Sequence, residues 1–156
     1  MSKILFIKQD SYNQSEIDKA ITRAFDFFGG VKNFINPGDK VLLKVNLVSG
    51  HEITRRVTTD PPIVRAAAKL VISCGGVPFI ADSPGIDNFM NAAKKAGFIQ
   101  VAQELGIECK ELTDPVNLPV KSGASFHKIQ VSKYVIESDK IINHLEKNNF
   151  KYSFKF

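Results

Sequence analysis

KVLLKVN at residues 40–46 and TTDPPIVRAAAKLVISCGGVPFIAD at residues 58–82 decide the fold. The first stretch is a compact apolar run that follows a turn signal, Pro37-Gly38-Asp39, and reads as a central strand. In the second, Thr59 or Asp60 can cap a helix. Pro61 and Pro62 then occupy its first turn, where a missing N–H breaks no helical bond. Ile63, Ala67, Leu70, Val71 and Cys74 recur at helical spacing and make an inward face, while Arg65 and Lys69 point away from it. Gly75-Gly76 stops the helix, and VPFIAD (77–82) is a second buried strand. A strand, a helix and a strand in this order make a parallel unit with a right-handed crossover.

The pattern extends in both directions. Upstream, KILFIK (3–8) reads as a strand, and Ser15 offers a cap for a helix with apolar positions Ile17, Ala20, Ile21, Ala24, Phe25 and Phe28. Downstream, the turn Ser83-Pro84-Gly85 leads to helices near 88–96 and 98–105, stopped by Gly97 and Gly106, and IECKEL (107–112) is strand-like. This alternation predicts one α/β domain over residues 1–143, with a mostly parallel, doubly wound, Rossmann-like three-layer sheet flanked by helices. After residue 113 the pattern loosens. Residues 113–126 read as loop, KIQVSKYVI (128–136) alternates like a half-buried strand, and DKIIN (139–143) is a short apolar run. Residues 144–156 form an atypical basic and aromatic tail. There Phe150, Tyr152, Phe154 and Phe156 alternate with Lys151, Ser153 and Lys155, as in an amphipathic edge strand or a biased unstructured end.

The chain has 156 residues, 44% apolar and 24% charged, which argues against wholesale disorder. No apolar run is long enough to span a bilayer, and the N-terminus shows no signal-peptide pattern. A cytoplasmic protein without a membrane partner is expected. The 21 basic and 16 acidic side chains give a net charge of +5, and residues 115–156 hold 7 of the basic and 3 of the acidic ones. That basic quarter suits either a solvated surface or single-stranded nucleic acid stacked on Phe150, Tyr152 and Phe154. No recognised nucleic-acid motif is present, so such a partner is not the preferred reading. Cys74 and Cys109 lie 35 positions apart with no C-x-x-C, so no iron–sulfur cluster or structural zinc is expected from this chain, and Cys74 reads as a small buried hydrophobe.

In open α/β sheets ligands bind beyond the carboxyl ends of the strands. That rule selects Lys44 and Asn46 at the end of the first central strand, and Asp82 and Ser83 at the end of the second. The 14-residue loop 47–60 between them carries Arg55, Arg56, Thr58 and Thr59 into a helix start, which attracts anions. Lys44, Asn46, Arg55, Thr58, Thr59, Asp82 and Ser83 are therefore the candidate ligand-binding residues for a small anion, a phosphate or a carboxylate. Each has a plainer role open to it. Thr59 and Asp60 can be caps, Asn46 a turn former, Arg55 and Arg56 solubilising, and Lys44 can pair with Asp82. His51 in the loop can serve as an acid–base group, while His127 and His144 have no evident partner. No metal-ligand spacing, nucleophile elbow, P-loop or dinucleotide fingerprint occurs, so the reaction, if any, is not legible.

The run VLLKVN followed by VTTDPPIVRAAAKLVISCGGVPFIADSPG resembles the family known as domain of unknown function 362. That family has a lysine–proline–asparagine strand end, matched here by Lys44, Val45 and Asn46, with valine in place of the proline. Its threonine-x-proline helix start is matched by Thr59, Asp60 and Pro61, and its aspartate–serine–proline turn by Asp82, Ser83 and Pro84. The resemblance implies an uncharacterised α/β protein. Many members carry ferredoxin-type cysteine clusters elsewhere, which implies redox work that the two cysteines here do not support. The similarity fades after Asn143, and family members continue into a second lobe. A truncated product is therefore expected, with self-association through the surface a missing lobe would leave exposed as a further expectation.

Overall fold

The computed structural model describes residues 4–47, 58–85, 87–120, 125, 127–145 and 153–155. Its strands are β1 (Lys40–Lys44), β2 (Val77–Asp82), β3 (Glu108–Glu111), β4 (Pro115–Leu118), β5 (Ile129–Ser132), β6 (Lys140–Leu145) and β7 (Ser153–Lys155). Its helices are α1 (Gln14–Phe27), α2 (Pro61–Ser73), α3 (Phe89–Lys95), α4 (Phe98–Leu105) and α5 (Lys133–Ile136). One sheet runs in the order β3-β2-β1-β6-β7, and β4 and β5 form a separate hairpin. The first four strands of the large sheet are parallel, and β7 lies antiparallel on β6. This is a mixed α/β fold with a central parallel sheet flanked by helices.

Strand alternation divides the core into two layers. Val41 and Leu43 of β1, Ile80 of β2 and Ile142 of β6 join one cluster with Ile21 and Phe25 of α1, Ile63 and Ala67 of α2, Phe89 of α3 and Phe98 of α4. The alanines Ala66, Ala67 and Ala68 are buried, and their small side chains let α2 lie close to the sheet. On the opposite face Leu42, Phe79 and Ala81 are covered by Leu112 and by Tyr134 and Val135 of α5. The Lys110 ammonium sits 4.6 Å from the ring centroids of both Phe79 and Tyr134 and closes that thinner layer. Among the described residues, four helices thus serve one face and a single turn of helix the other.

The winding of the chain sets the position of the site. From β1 the chain steps to β2 and then to β3, with α2, α3 and α4 on the heavily covered face. It then passes through the β4–β5 hairpin and α5, across the other face, and returns beside β1 as β6. The direction of winding reverses between β1 and β6.

The central strands and α2 fall where the sequence predicts, and the flanks differ. Residues 4–8 form no strand, although Ile4 and Phe6 are exposed while Leu5 and Ile7 are half-buried. Alternation reports a buried face but not a pairing partner, and β6 takes β7 as its outer neighbour. The cap of α1 is Asn13, whose side chain accepts from the Ser15 amide at 3.0 Å, rather than Ser15 itself. The stretch expected to be loop contains β4. Its pairing with β5 puts Val116, Val131, Leu118 and Ile129 on one side of the hairpin. Cys74 is half-buried at the end of α2, not fully inside. In the tail, Phe150, Lys151, Tyr152 and Phe156 lie outside the described residues, so the expected two-sided pattern there stands as an expectation.

Leu43 is fully buried between the sheet and the helical layer, so Leu43→Ala is expected to cost about 3 kcal/mol in urea unfolding. Phe6→Ser, at a residue 66% exposed and outside any strand, is expected to cost less than about 0.5 kcal/mol. A loss at Phe6 as large as that at Leu43 would contradict the placement of the amino-terminal segment outside the sheet.

Candidate functional site

Beyond Lys44 the β1 backbone keeps its alignment for one more residue, with the Val45 amide donating to the Ala81 carbonyl at 3.3 Å. There the Asp82 carboxylate takes over. It accepts the Lys44 Nζ at 2.5 Å, the Leu47 amide at 2.6 Å and the Ser83 amide at 2.8 Å. The Lys44 Nζ also donates to the Val45 carbonyl at 2.8 Å. The Asp82 side chain is 9% exposed and that of Lys44 33%, so the carboxylate is an internal tether while the ammonium reaches the rim. A buried carboxylate with three donors is satisfied, and removing one partner of such a pair is costly.

A second tether joins the start of α2 to the sheet. The Asn46 amide donates to Thr59 Oγ1 at 2.9 Å, and the Thr59 amide donates to the Asn46 carbonyl at 3.1 Å. The Thr59 hydroxyl in turn donates to the His144 carbonyl at 3.3 Å. Thr59 therefore links β1, β6 and α2. The turn between α3 and α4 presses on the same helix start. Gly97 has φ +80°, and a Cβ there would lie 3.1 Å from Pro61 Cγ, so glycine meets both constraints.

The structure thus brings together Lys44, Asn46, Thr59 and Asp82, with Ser83 exposed beside them and Thr58 buried before the helix. The Thr58 hydroxyl has no hydrogen-bond partner among the described residues. Arg55, with Arg56 and His51, lies outside the described residues. The helix start itself is poorer in donors than expected. Pro61 and Pro62 have no N–H, and the Ile63 amide is bonded to the Asp60 carbonyl at 3.0 Å. Its first turn offers none of the free amides that hold anions at other helix starts.

Two residues here went unrecognised in the sequence. Asn143 is the register partner of Lys44 across β1 and β6, and is half-buried. His144 follows it and is 4% exposed. Burial pushes the His144 imidazole down to about 4, against a backbone hydrogen bond at Lys44 that acts the other way. Only topology could have found them, because DKIIN shows a strand but not which strand it adjoins.

The family model described as Domain of unknown function (DUF362) matches residues 41–145, which include both tethers. The chain is also 31% identical over 143 residues to a thylakoid-associated protein of Synechocystis sp.. That alignment covers 92% of this chain and 44% of the relative, so the chain spans less than half the length of the curated relative it matches. No solved structure matches it.

The folded-state value of about 4 for His144 lies below the ordinary 6.5, so between these values the unfolded chain binds more protons than the folded one. Its contribution to stability is complete above about pH 6.5 and fades as the pH falls toward 4, by about 3 kcal/mol in all. Urea midpoints measured across that window should show the slope in the wild type and lose most of it in His144→Gln. A slope that persists in the variant would assign the titration to other groups.

Proposed function

This chain belongs to the family of domain of unknown function 362, and on that premise we propose that it is a ligand-binding α/β lobe. Its site, at the carboxyl edge of the sheet, takes a small phosphate or carboxylate. The observation that carries this reading is the position of Lys44. Its ammonium is fixed by Asp82 and the Val45 carbonyl, its side chain is one-third exposed, and its strand borders the reversal of winding between β1 and β6. In this reading Lys44 meets the acidic group, the unpartnered Thr58 hydroxyl gives a second donor, and Asn46 and Ser83 border the ligand. Thr59 and Asp82 hold the frame rather than touch the ligand, because their polar atoms are already bonded within the protein. The Lys44–Asp82 pair is neutral as a unit, so it orients more than it attracts. Arg55, three positions before Thr58, supplies the extra positive charge.

The redox role that the family resemblance implied has less support in these residues. Burial pushes the Cys109 thiol up to about 11, so it stays protonated near neutral pH. A cytoplasmic location remains part of the proposal. No helix among the described residues is long and apolar enough to cross a membrane.

Inorganic phosphate and acetate, titrated separately, test the site through the melting temperature. A ligand at about 100 times its Kd adds about 2.7 kcal/mol, which raises the melting point of a domain this size by about 5–10 °C. At least one of the two should shift the wild type and leave Lys44→Met without response. A full shift in Lys44→Met, or none in the wild type with either probe, would overturn the assignment.

A further inference from the structure

Asn143 has no role in the frame described above. Its backbone pairs with Lys44 in the parallel register of β1 and β6, so the two side chains leave the sheet on the same face, one strand spacing of ~4.8 Å apart. No hydrogen bond to its carboxamide is formed among the described residues, although the residue is half-buried. Lys44, by contrast, turns its ammonium toward β2, onto Asp82. The open carboxamide on β6 and the ammonium carried by β1 therefore belong to one face at the carboxyl edge of the sheet, with the ammonium displaced toward β2. A carboxamide presents a donor and an acceptor together, which suits a neutral hydroxyl or carbonyl better than a second charged group.

We infer that Asn143 is the specificity-determining residue of the carboxyl-edge site, and that the ligand is an acid carrying a hydroxyl two or three bonds from its charged group. This rests on the reading of Lys44 as the contact for the acidic group. A polyphosphate fits less well. Its second charged group would face a carboxamide instead of a cation, and the helix start has no free amides to receive it. A simple unsubstituted acid would leave the Asn143 amide unpaired as the site closed over it, which lowers affinity.

Calorimetric titration with two matched pairs tests the assignment: glycerol 3-phosphate against propyl phosphate, and glycerate against propionate. Within each pair the charge is the same and the hydroxyls differ. In the wild type the hydroxylated member of one pair should bind about fivefold to tenfold tighter, the worth of one good hydrogen bond. In Asn143→Ala that ratio should fall to about one, whatever the absolute affinities. Asn143→Ser, a smaller change on the strand, should lower it in the same direction. Lys44→Met should weaken both members of the pair together. A wild-type preference that survives both Asn143 variants, or equal binding of both members by the wild type, overturns the inference while leaving the Lys44 reading intact. Failure of all four acids to bind overturns both. The pair that responds shows whether the acidic group is a phosphate or a carboxylate.

Discussion

The Asp82 carboxylate is the constraint on which the carboxyl edge depends. The parallel ladder runs out within a residue of Lys44 and Asp82, at the bonds from the Val45 amide to the Ala81 carbonyl and from the Leu112 amide to the Asp82 carbonyl. A single buried carboxylate replaces the missing ladder. It gathers the amide that starts the next loop, the amide after its own strand, and the ammonium of the neighbouring strand. Each oxygen is committed to a donor, in a place where an unpaired charge would be costly. The arrangement also explains why a lysine is tolerated in a central strand: its charge is matched on one side and reaches solvent on the other.

Thr59 performs the matching task for the helix. One hydroxyl accepts from β1 and donates to β6, while its amide returns to β1. With two prolines in its first turn, α2 has few orphan amides, so its start can be buried against the sheet without a capping side chain. The same economy removes the donors that an anion would use. The local chemistry that makes the helix start easy to bury moves the burden of recognition to side chains, chiefly Lys44.

How far the sequence could be read followed from the range of the interactions involved. β1, α2 and β2 were legible because each is specified by its own periodicity and by punctuation at Pro37-Gly38, Pro61-Pro62 and Gly75-Gly76. The Lys44–Asp82 contact was legible as one option, since both residues end adjacent strands in a strand–helix–strand unit. The amino-terminal segment misled because Ile4, Leu5, Phe6 and Ile7 carry a strand's alternation outside the sheet. Asn143 and His144 were invisible for the opposite reason. Their importance comes from a return beside β1 after about a hundred residues, and no local pattern encodes that neighbour. Of the β4–β5 hairpin, β5 falls in the stretch 128–136 that reads as a strand, while β4, which begins at Pro115 and is exposed along its length, falls in the stretch 113–126 that reads as loop.

The most direct measurement of the central claim is amide hydrogen exchange at Leu47, followed by NMR in the wild type and in Asp82→Ala. If the carboxylate holds the loop onto the sheet, the Leu47 amide should exchange in the wild type as slowly as amides inside β1. Its protection should drop at least about a hundredfold in the variant, while amides in α1 keep theirs. Exchange at Leu47 that is already fast in the wild type, or equally slow in both proteins, would show that the carboxyl edge is held by something other than Asp82.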